Sequence, residues 1–375
     1  MSGIYFHIPF CKTKCTYCDF FSKTDFNQKT RVLRAMLLEM ERRENYLTDK
    51  NIATVYFGGG TPSTLSIDDI QLLLEIISRQ FNLLPAAEIT LEANPDDLSL
   101  EYLKSLREIG INRLSMGIQS FDDEQLAFIN RRHTSQTALH AVKNAQQAGF
   151  DNISIDLIYG LPLQTMESWK IQLEKAFTLN VQHISAYGLT YEKNTVLWEQ
   201  RQQGKVTVAD DELMIAMYEH LVEKCAENGF EQYEISNFEK NGFRSRHNSA
   251  YWTQTPYLGI GPSAHSYDGA SRQWNIPSII TYCKNIEEEK PYFEREELTE
   301  NDQYNDYVMV RLRTREGIDL EYIQHAFGEK TFNYLTKSAQ KYLKNNLLKL
   351  TNNFLTLTRH GILLSNQVME DLMKV

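Results

Sequence analysis

A chain of 375 residues is longer than one average domain of about 150 residues, so two or three domains are expected. Hydrophobic residues make up 42% and charged residues 23%, which excludes a disordered or fibrous chain. The net charge of −10 argues against a nucleic-acid partner, because polyanions bind basic surfaces. No apolar run reaches the roughly 20 residues of a membrane span, and no cleavable signal precedes Cys11. A cytoplasmic protein is therefore expected.

Short β-rich segments alternate with amphipathic ones in the first half of the chain. Six strands are expected at 4–8, 53–57, 88–91, 113–118, 153–158 and 183–187, and five helices at 31–46, 68–81, 100–109, 135–148 and 167–179. This alternation predicts an α/β fold with a parallel sheet, either open or curled into a partial (β/α)6 TIM-like barrel. Glu92, Gln119 and Asp156 fall at or near strand carboxyl ends, where such folds build their sites.

The alternation stops after residue 189. A helix is expected over 210–229, a strand over 230–235 and a loop-rich stretch over 242–269. From residue 291 the sequence becomes helical and charged, and segments 354–357 and 362–364 predict a terminal hairpin. The chain is thus divided into a partial barrel (1–195), a connecting region (196–290) and a smaller α+β, helix-rich C-terminal domain (291–375).

Three of the five cysteines form a C-x3-C-x2-C pattern directly after the first expected strand, at Cys11, Cys15 and Cys18. Iron–sulfur cubanes are held by thiolates, usually four, so three would leave one iron open to a small ligand with an amine and a carboxylate. A structural zinc site is the alternative, with His7 as the fourth ligand. The spacing and the absence of a second cysteine pair favour the cluster.

A glycine-rich run, Gly58-Gly59-Gly60-Thr61-Pro62, ends the second expected strand. Its backbone can approach a ligand closely and present N–H groups, although a tight strand–helix turn would use the same glycines. Together with the three cysteines, the run resembles the radical S-adenosylmethionine (radical SAM) superfamily. Segments 7–10, 92–95, 115–121 and 156–162 further resemble the branch of oxygen-independent coproporphyrinogen III dehydrogenases and related heme chaperones, over essentially the whole chain.

The resemblance implies a [4Fe-4S] cluster on Cys11, Cys15 and Cys18, and a bound S-adenosylmethionine (SAM). The residues that it assigns to SAM are Tyr5, Tyr17, Gly59, Gly60, Thr61, Glu92, Gln119, Arg131, Asp156 and Ala186. The chemistry of these residues agrees with that assignment. Glu92 can accept from the ligand amine, Arg131 can pair with its carboxylate, and Asp156 can bind ribose hydroxyls.

Two departures from the dehydrogenase pattern favour the heme chaperones. The dehydrogenase motif continues to a further cysteine two residues after the triplet, whereas Cys18 is followed here by Asp19 and Phe20. The dehydrogenases also carry a substantial extension before the first strand, whereas three residues precede the first expected strand here. Oxidative decarboxylation of coproporphyrinogen III is therefore the alternative function, and no residue is assigned a catalytic role.

The segment 246–252 matches the H-N-x-x-Y-W motif associated with heme in those chaperones. An imidazole such as that of His247 can ligate heme iron, and Tyr251 and Trp252 offer flat faces to a porphyrin. A packing corner would use the same residues, and His265, a cysteine or a tyrosine are alternative ligands. The resemblance implies heme binding and delivery to respiratory hemoproteins, with peripheral contact at the inner face of the membrane through a partner; homodimer formation stays open.

Overall fold

Within residues 1–374, which the computed structural model describes, one 12-stranded sheet forms the centre of the molecule. Six of its strands run parallel and pair in chain order. They are β1 (Ser2–Ile8), β2 (Asn51–Gly59), β3 (Asn82–Ala93), β4 (Arg113–Gln119), β5 (Ile153–Tyr159) and β6 (His183–Gly188). The six expected strands and the partial barrel are confirmed.

The helices between these strands bury one apolar face each against the sheet. They are α1 (Lys29–Arg42), α2 (Ile67–Gln80), α3 (Leu100–Glu108), α4 (Asp123–Phe128), α5 (Ser135–Gln147) and α6 (Met166–Thr178). In α2, Ile70, Leu73 and Ile77 have the spacing of one helix face, and all three are buried in the main core. The Ser66 hydroxyl accepts from the Asp69 backbone N–H at 3.2 Å and caps this helix. The five expected helices are confirmed to within four residues, whereas α4 was not expected.

Further strands extend the sheet on both sides of the parallel set. Beside β6 lie β8 and then β7, and beside β1 lie β9, β10, β11 and β12 in that order. Of these added strands only β9, which pairs with β1, makes a parallel pairing. The elements of this region are α7 (Val196–Gln202), α8 (Asp211–Glu227), β7 (Glu231–Glu234), β8 (Asn237–Glu239), α9 (Arg246–Trp252), β9 (Tyr257–Ile260), β10 (His265–Tyr267), β11 (Ser271–Asn275), α10 (Ile279–Glu287) and β12 (Phe293–Glu297).

The expectation of a loop-rich stretch over 242–269 is wrong. The stretch contains α9, β9 and β10, and the two strands pair with each other and with β1 and β11 outside the stretch. Strands of three or four residues carry too little periodicity to be recognised without those partners. The expected helix over 210–229 and strand over 230–235 are confirmed by α8 and β7.

The C-terminal part has an apolar core of its own, which includes Tyr304, Val308, Leu335 and Leu372. Its elements are α11 (Glu300–Leu312), β13 (Ile318–Asp319), α12 (Leu320–Lys344), β14 (Leu348–Thr351), β15 (Phe354–Leu357), α13 (Arg359–Leu363) and α14 (Ser365–Leu372), with α12 kinked at Gly328. The expected pairing of 354–357 with 362–364 is wrong, because β15 pairs with the preceding β14. The Thr358 hydroxyl accepts from the Gly361 N–H at 3.0 Å and starts a helix where the second arm was expected.

None of the helices in residues 1–374 combines the length and the apolar character needed to span a bilayer.

Candidate cofactor site

A cavity of about 690 Å³ opens at the carboxyl ends of the parallel strands. It is lined by the three clustered cysteines and by most residues predicted to bind SAM, namely Tyr5, Tyr17, Gly59, Gly60, Thr61, Glu92, Gln119, Arg131 and Asp156. His247 and Tyr251 also line the cavity, whereas Ala186 and Trp252 are not among its lining residues. Ala186 lies between Ser185 and Tyr187 on β6, and both of these residues line the cavity. Successive side chains of a strand point to opposite faces, so the side chain of Ala186 points away from the cavity.

The three cysteines lie in the loop between β1 and α1, and all three are free thiols. The Thr61 hydroxyl donates to Cys11 Sγ at 3.3 Å, and Arg131 Nη1 donates to Cys15 Sγ at 3.5 Å. Such donors stabilise thiolates, the form in which cysteine binds iron. Three thiols at the rim of one cavity therefore suit a cubane, in which each protein-bound iron takes one thiolate.

His7, the fourth ligand that a zinc site would need, is engaged at both ring nitrogens. Its Nε2 lies 2.8 Å from the Phe21 carbonyl oxygen, and its Nδ1 lies 3.3 Å from the Tyr5 hydroxyl. The ring thus ties the cysteine loop to β1. Within residues 1–374, no three His, Cys, Asp or Glu side chains are arranged around a single ion position.

Two half-buried carboxyl groups, Glu92 on β3 and Asp156 on β5, face the cavity. The Tyr56 hydroxyl donates to Glu92 Oε1 at 2.7 Å, and the Ser115 hydroxyl donates to Asp156 Oδ1 at 3.3 Å. Burial is the main cause that raises the pKa of Glu92 to about 7 and that of Asp156 to about 6. A cationic ligand with hydroxyl groups would relieve this desolvation, since ionised carboxylates only accept hydrogen bonds.

Arg131 connects the cysteine loop with the strand ends. Its Nη2 donates to Asn94 Oδ1 at 2.6 Å and also to the Gly117 carbonyl. A Cβ atom at Gly117 would lie 2.9 Å from Gln119 Nε2 and 3.3 Å from Arg131 Nη2, so glycine is what lets both side chains approach here. The strand register shifts between Gly117 and Gln119, and Gln119 has a positive φ of 67°, which redirects the end of β4.

The sequence analysis missed several residues that shape this cavity. Tyr56, Asn94 and Ser115 hold Glu92, Arg131 and Asp156 respectively. A Cβ atom at Gly58 would lie 2.9 Å from the rings of both Tyr5 and Tyr56, so a side chain there would collide with them. Ser115 could have been found, because it precedes Gln119 by four residues on β4 and so has the spacing of one strand face.

The segment predicted to bind heme forms the helix α9, whose N-terminus packs against β2 and β3. His247 is 1% exposed, with Nδ1 2.8 Å from Thr54 Oγ1 and Nε2 3.0 Å from the Tyr251 hydroxyl. Glu88 accepts from the backbone N–H groups of Arg246 and His247, both at 3.0 Å, and thereby caps the helix. Burial lowers the pKa of His247 to about 3, so its imidazole is neutral.

The other two residues predicted to contact heme lie close to His247 in the sequence but differ in placement. Tyr251 is joined to His247 by the hydrogen bond above and stacks edge-on against Tyr257, with ring centroids 4.7 Å apart. Trp252 is half-buried, and its indole Nε1 has no hydrogen-bond partner within residues 1–374. The three side chains therefore do not present a common open face in this conformation.

Comparison with known proteins agrees with the geometry of the cavity. Residues 5–174 match the radical SAM superfamily, and residues 298–364 match the HemN C-terminal domain. The chain is 35% identical over 375 residues to the heme chaperone HemW of Bacillus subtilis (strain 168), covering 98% of each protein. It is also 35% identical over 369 residues to the heme chaperone HemW of Lactococcus lactis subsp. lactis (strain IL1403), covering 98% of this chain and 96% of the relative.

Among solved structures, coproporphyrinogen III oxidase (HemN) from Escherichia coli shares the fold, with a TM-score of 0.86 at 24% identity over 99% of this chain and 90% of that one. A partial barrel with a three-cysteine loop at the mouth of a polar cavity is the architecture of a radical SAM protein. The chain belongs to the radical SAM superfamily and, within it, to the family of the HemW relatives. Membership of this superfamily implies a [4Fe-4S] cluster and SAM.

Proposed function

We propose that this protein is a heme chaperone, which binds heme and passes it to other proteins while keeping a [4Fe-4S] cluster and a SAM site. The observation that carries the proposal is the likeness over almost the full chain to two proteins named heme chaperone HemW. The absence of a further cysteine at Phe20, where the dehydrogenase motif has one, supports it. Coproporphyrinogen III oxidative decarboxylation is the enzymatic alternative.

In this proposal Cys11, Cys15 and Cys18 would hold the cluster through their thiolates, and SAM would bind in the cavity beside it. Glu92 accepts from the amine, and Asp156 accepts from the ribose hydroxyls. Arg131 pairs with the carboxylate while its other nitrogen contacts Cys15. When bound, the cluster and SAM supply one-electron chemistry at the sulfonium, and the cavity keeps water from it.

The remaining contacts to SAM are proposed from the same cavity. Tyr5 and Tyr17 lie along its wall, and Gly59, Gly60 and Thr61 present the end of β2 to the ligand, with Gln119 opposite. The contact assigned to Ala186 rests on the family likeness, and its buried side chain points away from the cavity face.

Heme binding through His247 requires α9 to move out of its packed position. Both imidazole nitrogens are hydrogen-bonded, and the ring lies parallel to that of Tyr56 at a centroid distance of 5.0 Å. The imidazole is neutral, which is the form that ligates iron. We therefore infer that His247, Tyr251 and Trp252 meet heme only after the segment is released, and that the cost of release lowers the apparent heme affinity.

The test is a hemin titration of anaerobically reconstituted protein, followed by Soret absorbance. We expect saturable binding to the wild type and at least about tenfold weaker binding to His247→Ala, which corresponds to about 1.4 kcal/mol. His265→Ala is the matched control, because its histidine is exposed and lies outside α9, and it should bind hemin like the wild type.

Coproporphyrinogen III turnover is assayed on the same samples with reductant and SAM. Consumption of the porphyrinogen without saturable hemin binding would replace the chaperone function with the dehydrogenase. If His265→Ala loses hemin affinity while His247→Ala does not, the result would support the chaperone function but contradict the assignment of His247 as the heme ligand.

We further propose respiratory hemoproteins as heme acceptors, with peripheral membrane contact through a partner and self-association into a homodimer. In the corresponding division of the chain, residues 1–195 carry the cofactors, 196–290 carry the heme segment and 291–375 form the C-terminal domain, except that β12 within this last range joins the central sheet. Transfer of bound heme to an apo-cytochrome, flotation with membrane vesicles and sedimentation of the holoprotein test these points separately.

A further inference from the structure

Arg113 is a fully buried arginine on the inner face of the partial barrel, 1% exposed. Arg113 lies on β4, and its Cα pairs with that of Thr90 on β3. The next residue on the same face of β4 is Ser115. Ser115 pairs with Glu92 on β3 and with Ser154 on β5. Because Ser115 lines the cavity and strand side chains alternate, Arg113 points to the same interior. It therefore lies one side-chain layer below the two cavity carboxylates.

The guanidinium of Arg113 is buried without being satisfied. Its Nε and Nη1 have no hydrogen-bond partner within residues 1–374, and the same holds for the hydroxyl of Thr90 beside it. A buried charge of this kind is costly unless opposite charge compensates it. Arg113 does not line the cavity, so it does not itself meet a ligand there.

The titratable groups that Arg113 influences come from each element packed around it: Tyr56 of β2, Glu92 of β3, Asp156 of β5, His183 of β6, Tyr233 of β7 and His247 of α9. Burial, and secondarily Arg113, lowers the pKa of His183 and His247, so both are neutral. Burial raises the pKa of both tyrosines, so they are neutral as well. Asp156, with a pKa of about 6, is mostly ionised at neutral pH, and Glu92, with a pKa of about 7, is about half ionised.

We propose that Arg113 is a positioning residue for SAM, because it adds positive charge inside the barrel, as Arg131 does beside Asp156, and so favours the ionised forms of Glu92 and Asp156 that accept hydrogen bonds. The inference rests on the SAM site proposed above. Ser115, between the two layers, donates to Asp156 and fixes the direction of that carboxylate. In a low-dielectric interior one cation acts on both carboxylates without touching either of them.

The test is SAM affinity measured by equilibrium dialysis from about pH 6 to about pH 9 on anaerobically reconstituted protein. In the wild type we expect affinity to decline as the pH falls below about 7, where Glu92 takes up a proton. In Arg113→Met the decline should begin about one pH unit higher, which makes binding at pH 7 about fivefold weaker, and affinity should recover toward pH 9. Arg113→Lys should restore the wild-type profile.

Arg79→Met is the matched control, since Arg79 lies on α2 with 69% of its side chain exposed. A uniform loss of affinity at every pH in Arg113→Met, or an unchanged profile, would overturn the inference. If Arg113→Met does not fold, Arg113→Gln is measured in the same way. Calorimetry of the wild type at about pH 8 in buffers of different ionisation enthalpy gives an independent check: release of a full proton on SAM binding would also overturn it.

Hemin titration of the same proteins separates this inference from the proposed function. Arg113→Met should still bind hemin saturably, because Arg113 is not among the residues proposed to contact heme. A wild type that binds hemin but not SAM would overturn the SAM site and the role of Arg113 together, and would leave the heme function standing.

Discussion

Two adjacent regions of this molecule hold their polar groups in opposite ways. At the strand ends, Glu92, Asp156 and Arg131 face an open cavity and are ready for a ligand. In α9 beside them, His247 uses both ring nitrogens within the protein, and Glu88 holds the helix N-terminus. The first region is therefore preformed for the proposed SAM site, whereas the proposed heme contact of His247, which also lines the cavity, first requires these hydrogen bonds to break. Under this proposal, substitutions should affect SAM and heme separately.

The largest effect is expected at the cysteine loop. Cys15→Ala should abolish the iron–sulfur cluster, because a cubane with only two protein thiolates is not retained. Iron analysis and visible absorbance after anaerobic reconstitution measure this. Cys283→Ala is the matched control, since Cys283 is buried in α10 outside the cavity and the cluster should survive there. Full iron content in Cys15→Ala would show that the cysteine loop does not hold the cluster.

Glu92→Gln should separate the two ligands. It replaces a charged acceptor with a neutral one, so SAM should bind about tenfold to a hundredfold more weakly at pH 8, which corresponds to roughly 1.5–3 kcal/mol. Hemin affinity should stay at the wild-type value. Glu101→Gln, on the exposed surface of α3, serves as the control. Equal losses for SAM and hemin would show that the two regions are one site.

The same variant should be more stable than the wild type at alkaline pH. Burial raises the pKa of Glu92 to about 7, so the carboxyl stabilises the folded state below its unfolded pKa of about 4.5, and that contribution is lost as the pH rises through 7. Glu92→Gln should therefore raise the free energy of unfolding by about 1–3 kcal/mol at pH 8 and by much less at pH 5. Urea unfolding at both values measures this; a variant less stable at pH 8 would contradict the burial of a charged Glu92.

Glu88→Gln should produce the smallest effect and act on α9 alone. Glu88 bonds two N–H groups of the helix with a charged carboxylate, and the neutral amide would weaken that cap by about 1 kcal/mol. Because less free energy is then needed to release the helix, hemin should bind about threefold to tenfold more tightly. SAM affinity should not change. Weaker hemin binding in this variant would mean that the packed helix is itself the heme site.

The difference between the regions also explains how far the sequence could predict them. The strands, and the position of Glu92, Gln119 and Asp156 at their carboxyl ends, could be predicted from local periodicity. The cluster site could be predicted from the spacing of the three cysteines. The burial of His247 does not, because its partner Thr54 is 193 residues away and Glu88 is 159 residues away. The burial of Arg113 could not be predicted either, because nothing in the sequence distinguishes it from an exposed arginine at the start of a strand.

The terminal hairpin shows the same limit at short range. Residues 354–357 were expected to form a strand, which is correct, but the sequence favoured the following segment as partner over the preceding one. The choice depends on the Thr358 cap, which commits residues 359–363 to a helix. Capping and strand pairing compete for the same few residues, and tertiary packing decides between them.

Hydrogen exchange of residues 246–252, followed by mass spectrometry with and without saturating hemin, tests the central claim most directly. We expect slow exchange in the free protein, since α9 is capped and packed, and a large increase when hemin binds, with β1 to β3 unchanged. Protection of α9 that is the same in the free and the hemin-saturated protein would contradict release of the helix, and would place heme at another surface of the chain.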